Sequence, residues 1–258
     1  MIPYRLITTM LSSHNPTGAS LAAFYPDVCQ ACLCVPATPE EGFLCAQCLK
    51  DIRFVESPIC EKCGGPFPGE MPTPFTCCNC AQQQHNYDFA RSSTKSVSLM
   101  RDVVHQYKFM SATWFEPFLM RTFLQSAVPA LSNGEWDGVV STPLHPVKFR
   151  ERGFNQSDRL AICLAGQLQI PIMHNVLSRA KFTQPQSALP KSGRFVNVKD
   201  AFQANRNACL SGKKLILVDD VMTTGAPVNA CAGALKKEGV LTVAVWTLAR
   251  GGLSTDLA

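Results

Sequence analysis

Leu215-Ile-Leu-Val-Asp-Asp-Val-Met-Thr-Thr-Gly225 joins four apolar residues to two adjacent acids and then to Thr-Thr-Gly. A run of apolar and β-branched residues bounded by charge reads as a strand buried on both faces, as a parallel sheet requires. Asp219 and Asp220 at its end can accept hydrogen bonds from a vicinal diol such as the ribose 2′- and 3′-hydroxyls. After a short loop, Thr223, Thr224 and Gly225 offer hydroxyls and backbone N–H groups where a helix begins. That is an anion site, helped by the helix dipole. Gly225 lets the backbone come close to a phosphate. The helix expected over Thr224–Glu238 takes Thr224 as its cap and Gly239 as its end. Val228, Cys231, Ala232 and Leu235 form its apolar stripe. The site then sits at the carboxyl end of a parallel strand, where open α/β sheets bind ligands.

Outward from this stretch, apolar runs alternate with amphipathic ones from about Tyr87 to Arg250. That alternation predicts an α/β fold, a mostly parallel sheet flanked by helices. Further strands are expected at Gly138–Pro143 and Leu241–Leu248, beside Lys214–Asp219. Helices are expected at Val97–Lys108, Glu116–Ser126 and Gln156–Leu168. Pro117 falls in a first turn, where it is tolerated. Residues 1–24 read as a tail, 25–84 as a small cysteine-rich module, 85–250 as the α/β domain and 251–258 as a second tail.

The module carries four C-x-x-C pairs, Cys29/Cys32, Cys45/Cys48, Cys60/Cys63 and Cys77/Cys80. A two-residue gap lets two sulfurs reach one tetrahedral ion, and four such pairs in about 50 residues point to structural zinc, one ion or two. Sequential pairing gives two zinc ribbons of four cysteines each; interleaved pairing satisfies the same spacing. An iron–sulfur cluster and redox chemistry at one C-x-x-C are the rival readings. Cys34 and Cys78 are left over. So small a module lacks a good apolar core, and metal would supply much of its folding energy.

The 13 cysteines come as C-x-x-C pairs ahead of a nucleotide-type domain, which favours thiolates in a reducing cytoplasm. No apolar run reaches the roughly 20 residues of a membrane span. The net charge of +5 is uneven: residues 1–84 carry net −3 and residues 85–258 net +8. A basic domain suits a polyanionic ligand or nucleic acid, and it also suits ordinary surface charge.

The eleven-residue stretch resembles the phosphoribosyl-pyrophosphate (PRPP) motif of type I phosphoribosyltransferases. The whole chain over about residues 25–250 resembles the ComF/GntX family, which joins a double zinc ribbon to such a domain. Pro143-Leu-His-Pro146, followed by Lys148, Arg150, Arg152 and Gly153-Phe-Asn-Gln156, carries that resemblance. So do Arg179-Ala-Lys-Phe-Thr-Gln184, with Gln186, Leu189, Arg194 and Asn197 after it, and the pair Lys108-Phe109. The resemblance implies a PRPP site over Asp219, Asp220, Val221, Met222, Thr223, Thr224, Gly225 and Ala226. It implies a pyrophosphate loop at Thr142, Pro143, Leu144 and His145, with Lys148 beside it, and Mg²⁺ bridging pyrophosphate and ribose.

A cationic cluster stabilises a leaving group that gains charge. The resemblance implies a mobile loop that closes over the site and brings such cations to it, with Lys148, Arg150 and Arg152 as candidates and Lys181, Gln184 and Arg194 as further ones; Arg150, Arg152, Asp219 and Asp220 are the catalytic residues it implies. Other readings stand beside these. Lys148, Arg150 and Arg152 alternate with Phe149 and Glu151 as on the solvated face of an edge strand. His145 can be structural. Asn155 fits an N-cap. Pro227 stands where the family usually has Thr and removes an N–H and a hydroxyl from the phosphate cradle. The activity implied is transfer of a 5-phosphoribosyl group, linked to DNA uptake or to DNA as a nutrient. The alternatives are PRPP sensing without catalysis, or single-stranded-DNA binding with the ribbons docking a DNA-processing protein.

Overall fold

The computed structural model describes residues 28–71, 74–179, 201–205 and 208–252. The first tail, the second tail beyond residue 252 and the positions Lys181, Gln184, Gln186, Leu189, Arg194 and Asn197 lie outside them.

Four strands form one parallel sheet: β1 (Phe89–Lys95), β2 (Gly138–Ser141), β5 (Lys214–Met222) and β6 (Thr242–Arg250), in the order β1-β6-β5-β2. Helices α1 (Ser98–Phe109) and α2 (Glu116–Leu131) link β1 to β2. Helices α3 (Pro146–Arg152) and α4 (Gln156–Leu168) follow β2, and α5 (Ala226–Lys237) joins β5 to β6. Strands β3 (Leu177–Arg179) and β4 (Phe202–Ala204) pair antiparallel apart from the sheet. This is the α/β architecture expected of a type I phosphoribosyltransferase domain, behind a cysteine-rich amino-terminal module.

Side chains alternate across a strand, so β5 feeds two cores. Ile216 and Val218, with Trp246 and Leu248 of β6, pack under α1, α2 and α4. Leu215 and Leu217, with Val243 and Val245, pack under α5 and the β3–β4 pair. Burial on both sides is why these strands read as near-continuous apolar runs.

Each of the three expected strands and four expected helices is present; Gln156–Leu168 keeps its expected bounds and the others have shifted ends. β5 runs three residues further than expected, through both acids to Met222. α2 continues past Ser126 to Leu131 despite Pro129. The stretch read as a mobile loop or an edge strand is instead helix α3, with Pro146 in its first turn, His145 as N-cap and Gly153 at φ +78° ending it. Its Lys/Arg alternation is therefore not a strand face: Lys148 and Arg152 share a side one turn apart, and Arg150 points away from them.

The cysteine module is built into this fold. Phe54 bridges Thr94 antiparallel, Val55 N–H donates to the Ser93 carbonyl at 3.1 Å, and Lys95 N–H donates to the Arg53 carbonyl at 2.7 Å. Residues 53–55 thus cover the outer edge of β1. The first cysteine group joins the α2 side of the core, and the second joins the α5 side.

Candidate functional site

The carboxyl ends of the strands gather the loop after β2, the acids of β5 and the turn into α5. Gly225 is the N-cap of α5 at φ +77°, a conformation that favours glycine. The Ala226 N–H donates to Thr224 Oγ1 at 3.3 Å, so Thr224 serves the helix start from one position before the cap. Val228, Cys231, Ala232 and Leu235 are all buried, as the stripe predicted. Pro227 lies in the first turn of α5. A side chain at position 225 would strain the backbone and meet Met222 Cε at 2.8 Å. Gly225→Ala is therefore expected to lower stability by about 1–2 kcal/mol, the cost of a left-handed residue with a Cβ. Denaturant unfolding at neutral pH checks this, and an unchanged midpoint would contradict it.

The two acids go different ways, because consecutive strand residues point to opposite sides. Asp219 is only 8% exposed. Its Oδ1 accepts from Ser157 Oγ of α4 at 2.8 Å and from the Asp220 N–H at 2.9 Å. Burial, and then the Asp220 carboxylate, push its pKa up to about 7, against the pull of Ser157 and Lys108. Asp220 pairs with Lys108 of α1 at 2.8 Å, with side chains 14% and 17% exposed. Its Oδ1 also accepts from the Val221 N–H at 2.6 Å. One carboxylate is thus held inward and the other is neutralised by a cation at the mouth of the site.

Of the expected cations, Arg152 reaches this region. Its guanidinium lies over the Phe109 ring at 4.9 Å and donates to Gln156 Oε1 at 2.9 Å. Burial lowers its pKa and the Asp220 charge opposes that. Lys148 is paired with Glu151 at 2.6 Å. Arg150 lines a cleft of about 500 Å³ with Ser141, Pro143, Leu144, Asn155 and His174, beside the loop after β2.

The loop after β2 is held from both ends. The Thr142 N–H donates to the Val218 carbonyl at 2.9 Å, and Asn155 Nδ2 donates to the Thr142 carbonyl at 3.0 Å. Asn155 also caps α4 by accepting from the Ser157 N–H at 3.1 Å, as expected. His145 Nδ1 accepts from the Val147 N–H at 3.3 Å and caps α3. Lys108 and Ser157 are the partners that sequence reasoning left without a role. Lys108 was visible as the cation ending an amphipathic helix. Ser157 carried no signal, since only the fold brings it to Asp219.

The cysteines settle into two sequential groups, Cys29, Cys32, Cys45, Cys48 and Cys60, Cys63, Cys77, Cys80, each with its sulfurs within 4.8 Å of one another. Interleaved pairing is excluded. Sulfur separations of 3.7 Å (Cys29–Cys48), 3.9 Å (Cys32–Cys45) and 3.9 Å (Cys63–Cys77) match the edge of a single-ion tetrahedron. A Zn–S length of about 2.3 Å gives an edge of about 3.8 Å. Burial raises the Cys29 thiol, yet backbone N–H groups of Cys32, Cys45 and Ala31 outweigh it and bring the pKa down to about 6. Cys60 comes down to about 7 against burial by the same means, through Cys63, Cys77 and Lys62. Cys48 and Cys80 are pushed up by burial and by their sulfur neighbours. Four crowded thiols cannot all ionise without a cation, so the donor set fits structural zinc. Cys34 and Cys78 stay outside both groups.

Known proteins agree with this description. Residues 20–82 match the double zinc ribbon domain. The chain is 32% identical over 228 residues to the DNA utilization protein YhgH of Salmonella typhimurium, covering 87% of this chain and 97% of that one. It is 29% identical over 212 residues to competence protein F of Haemophilus influenzae, covering 80% and 90%. It is 25% identical to competence protein ComFC of Bacillus subtilis, covering 82% and 85%. Among solved structures, a glutamine PRPP amidotransferase from B. subtilis with ADP and GMP matches at 21% identity and a TM-score of 0.33. That match covers 51% of this chain and 26% of that one, a likeness too slight to transfer any residue's role. The extent of the first two matches, with both four-cysteine groups in place, means that the chain belongs to the ComF/GntX family of competence and DNA-utilization proteins.

Proposed function

We propose that the chain binds Mg²⁺ and PRPP at the carboxyl end of its sheet and transfers the 5-phosphoribosyl group to a nucleophile. The role would lie in the uptake or use of DNA, as the names of its relatives suggest. The observation that carries this reading is the join of β5 to α5. Two adjacent carboxylates stand near the end of the strand, and Thr223, Thr224 and a left-handed Gly225 lead into the helix. The helix start takes the 5′-phosphate through N–H groups and hydroxyls. The carboxylates take the ribose hydroxyls, and the Thr142–His145 loop takes the pyrophosphate. Mg²⁺ would come with PRPP and supply positive charge against the leaving pyrophosphate, with Asp219 and Asp220 the carboxylates at this end of the sheet that could hold it.

In the transfer, the C1′–O bond breaks and its electron pair leaves on pyrophosphate. The acceptor's lone pair forms the new bond to C1′, and the acceptor sheds its proton to water. Charge grows on the leaving group, so Arg152 and Lys108, near Asp220, supply the stabilising cations. Lys108 must first share or release Asp220 before a ribose hydroxyl can donate to that carboxylate. The acceptor stays open. The reduced thiols of the two ribbons favour a cytoplasmic setting.

Pro227 supports a second reading, PRPP binding without turnover, because it removes one N–H from the first turn that holds the phosphate. Calorimetry with PRPP and Mg²⁺ on the wild type and on Asp219→Asn/Asp220→Asn tests the site. The double variant is expected to bind at least about 30-fold more weakly, since hydrogen bonds to charged acceptors lose about 1–2 kcal/mol when the charge goes. Equal binding by the two proteins would move the ligand elsewhere. Pyrophosphate release with a panel of acceptors then separates the enzyme from the sensor. Salt-sensitive binding of single-stranded DNA that survives the double substitution would favour a DNA factor instead.

A further inference from the structure

The second thiolate group and the anion loop share one packing cluster, which includes Cys60, Cys63, Tyr87, Met222 and Ala226. Arg250 stands between them. Its backbone is the last rung of β6, in register with Lys95 of β1 and Met222 of β5. The Ser96 N–H donates to its carbonyl at 2.7 Å, and the next residue, Gly251, donates to the Met222 carbonyl at 3.0 Å. A Cβ on Gly251 would lie 3.3 Å from Thr223 Cγ2, so this backbone sits against the first threonine of the loop.

The side chain runs to the cysteines. A Cβ on Gly65 would lie 3.4 Å from Cys63 Sγ and 4.0 Å from Arg250 Nη2, which puts guanidinium and sulfur near one point. Arg250 is only 9% exposed, and its Nε and Nη1 find no hydrogen-bond partner among the described residues. A buried guanidinium with unused donors is costly until something accepts from it. Neutral thiols accept weakly. Four thiolates on a dication carry a net charge of −2 and accept N–H strongly. Arg91, another cation at this junction, already donates to the Glu61 and Ala90 carbonyls at 2.8 Å each.

We propose that Arg250 donates to the thiolate sulfurs of the metal-loaded Cys60, Cys63, Cys77, Cys80 centre and thereby holds the end of β6 against the Thr223–Gly225 loop. Metal in the second ribbon then sets the geometry of the anion loop, whichever anion that loop takes. This inference rests on the metal site and not on the PRPP reading.

The test uses the full chain carrying two zinc ions, as wild type and as Arg250→Gln. Zinc release to a coloured chelator is followed together with amide hydrogen exchange over residues 222–226. In the variant, one of the two ions is expected to leave about 10- to 100-fold faster while the other keeps its wild-type rate. That is the usual cost of removing a hydrogen-bond partner from a metal ligand. The loop amides should exchange faster as well. A folded variant that releases both ions at wild-type rates, or keeps wild-type loop exchange, overturns the proposal. Should the variant not fold, partial demetallation of the wild type decides. Loop protection is expected to fall in step with protection over residues 60–80, and loop protection that survives its loss overturns the coupling.

Discussion

Chelation of both metal ions is expected to unfold the amino-terminal module and to lower the melting temperature of the whole protein by about 10 °C or more. The module's own apolar interior is thin. Over residues 28–71 the buried apolar residues are Cys29, Ala37, Leu44, Cys45, Ile52, Cys60 and Cys63, and four of these seven are ligands. Structural zinc in such modules contributes on the order of 10 kcal/mol or more per site at neutral pH, which nothing else in this stretch replaces.

The damage should not stop at the module. Cys29, Leu44, Cys45 and Ile52 pack on the α2 side of the main core, and Cys60 and Cys63 pack on the other side. Residues 53–55 pair with the outer edge of β1. Loss of the module therefore strips cover from both faces and bares a sheet edge. Several kcal/mol lost from a domain of this size corresponds to about 2–4 °C each. Zinc release measured beside limited proteolysis and thermal unfolding checks the expectation. Cleavage should begin before Tyr87, and two ions should leave per chain. A metal-free protein that melts and digests like the loaded one would contradict it. Acid should mimic the chelator, because protons compete with the metal for the thiolates.

The elements that sequence reasoning found are those whose burial is written in apolar side chains. β5 and β6 are continuous apolar runs, and α5 shows its stripe at helical spacing. The C-x-x-C pairs state their own chemistry. β1 escaped because it reads Phe-Ala-Arg-Ser-Ser-Thr-Lys, with Ser92, Ser93 and Thr94 buried. Their hydroxyls are satisfied by residues distant in the chain. Ser92 pairs with Thr247 Oγ1 at 2.7 Å, and Thr94 donates to the Leu248 carbonyl at 2.9 Å. No local pattern announces such partners. Helix α3 was missed for another reason. Its punctuation, a prolyl first turn and a closing glycine, stands in the sequence, but a run of cations reads more readily as a loop that meets an anion.

The site divides the same way. The acids, the threonines and Gly225 were legible from one strand-to-helix stretch, as was the Asn155 cap. The partners that set the acids' charge state were not, since Lys108 and Ser157 come from helices 112 and 62 residues earlier than the carboxylates they meet. Arg250 closed the domain in the sequence, and only the parallel register carries it to the cysteines and the loop together.

Asp219→Asn is expected to stabilise the ligand-free protein at alkaline pH while it impairs the site. The pKa of Asp219 stands at about 7 in the fold, against 3.8 ordinarily, because burial and Asp220 disfavour its charge. Between those values the folded state holds a proton that the unfolded chain has given up. Stability therefore falls as pH rises through the window, by about 1.4 kcal/mol per unit and up to about 4 kcal/mol in all. Below the ordinary value both states are protonated and the penalty vanishes; above about 7 it is complete. Asparagine keeps an oxygen for Ser157 Oγ and the Asp220 N–H, and it carries no charge to bury. Its advantage over the wild type should grow by about 2 kcal/mol between about pH 5.5 and about pH 8, a window in which the ribbons keep most of their metal. Thermal unfolding of the zinc-loaded proteins across that range gives the answer. A variant that melts below the wild type at alkaline pH would mean that the carboxylate is welcome where it sits. A variant that melts above it would mark Asp219 as a residue kept at a cost to the fold, the pattern expected of a charge held ready for a ligand.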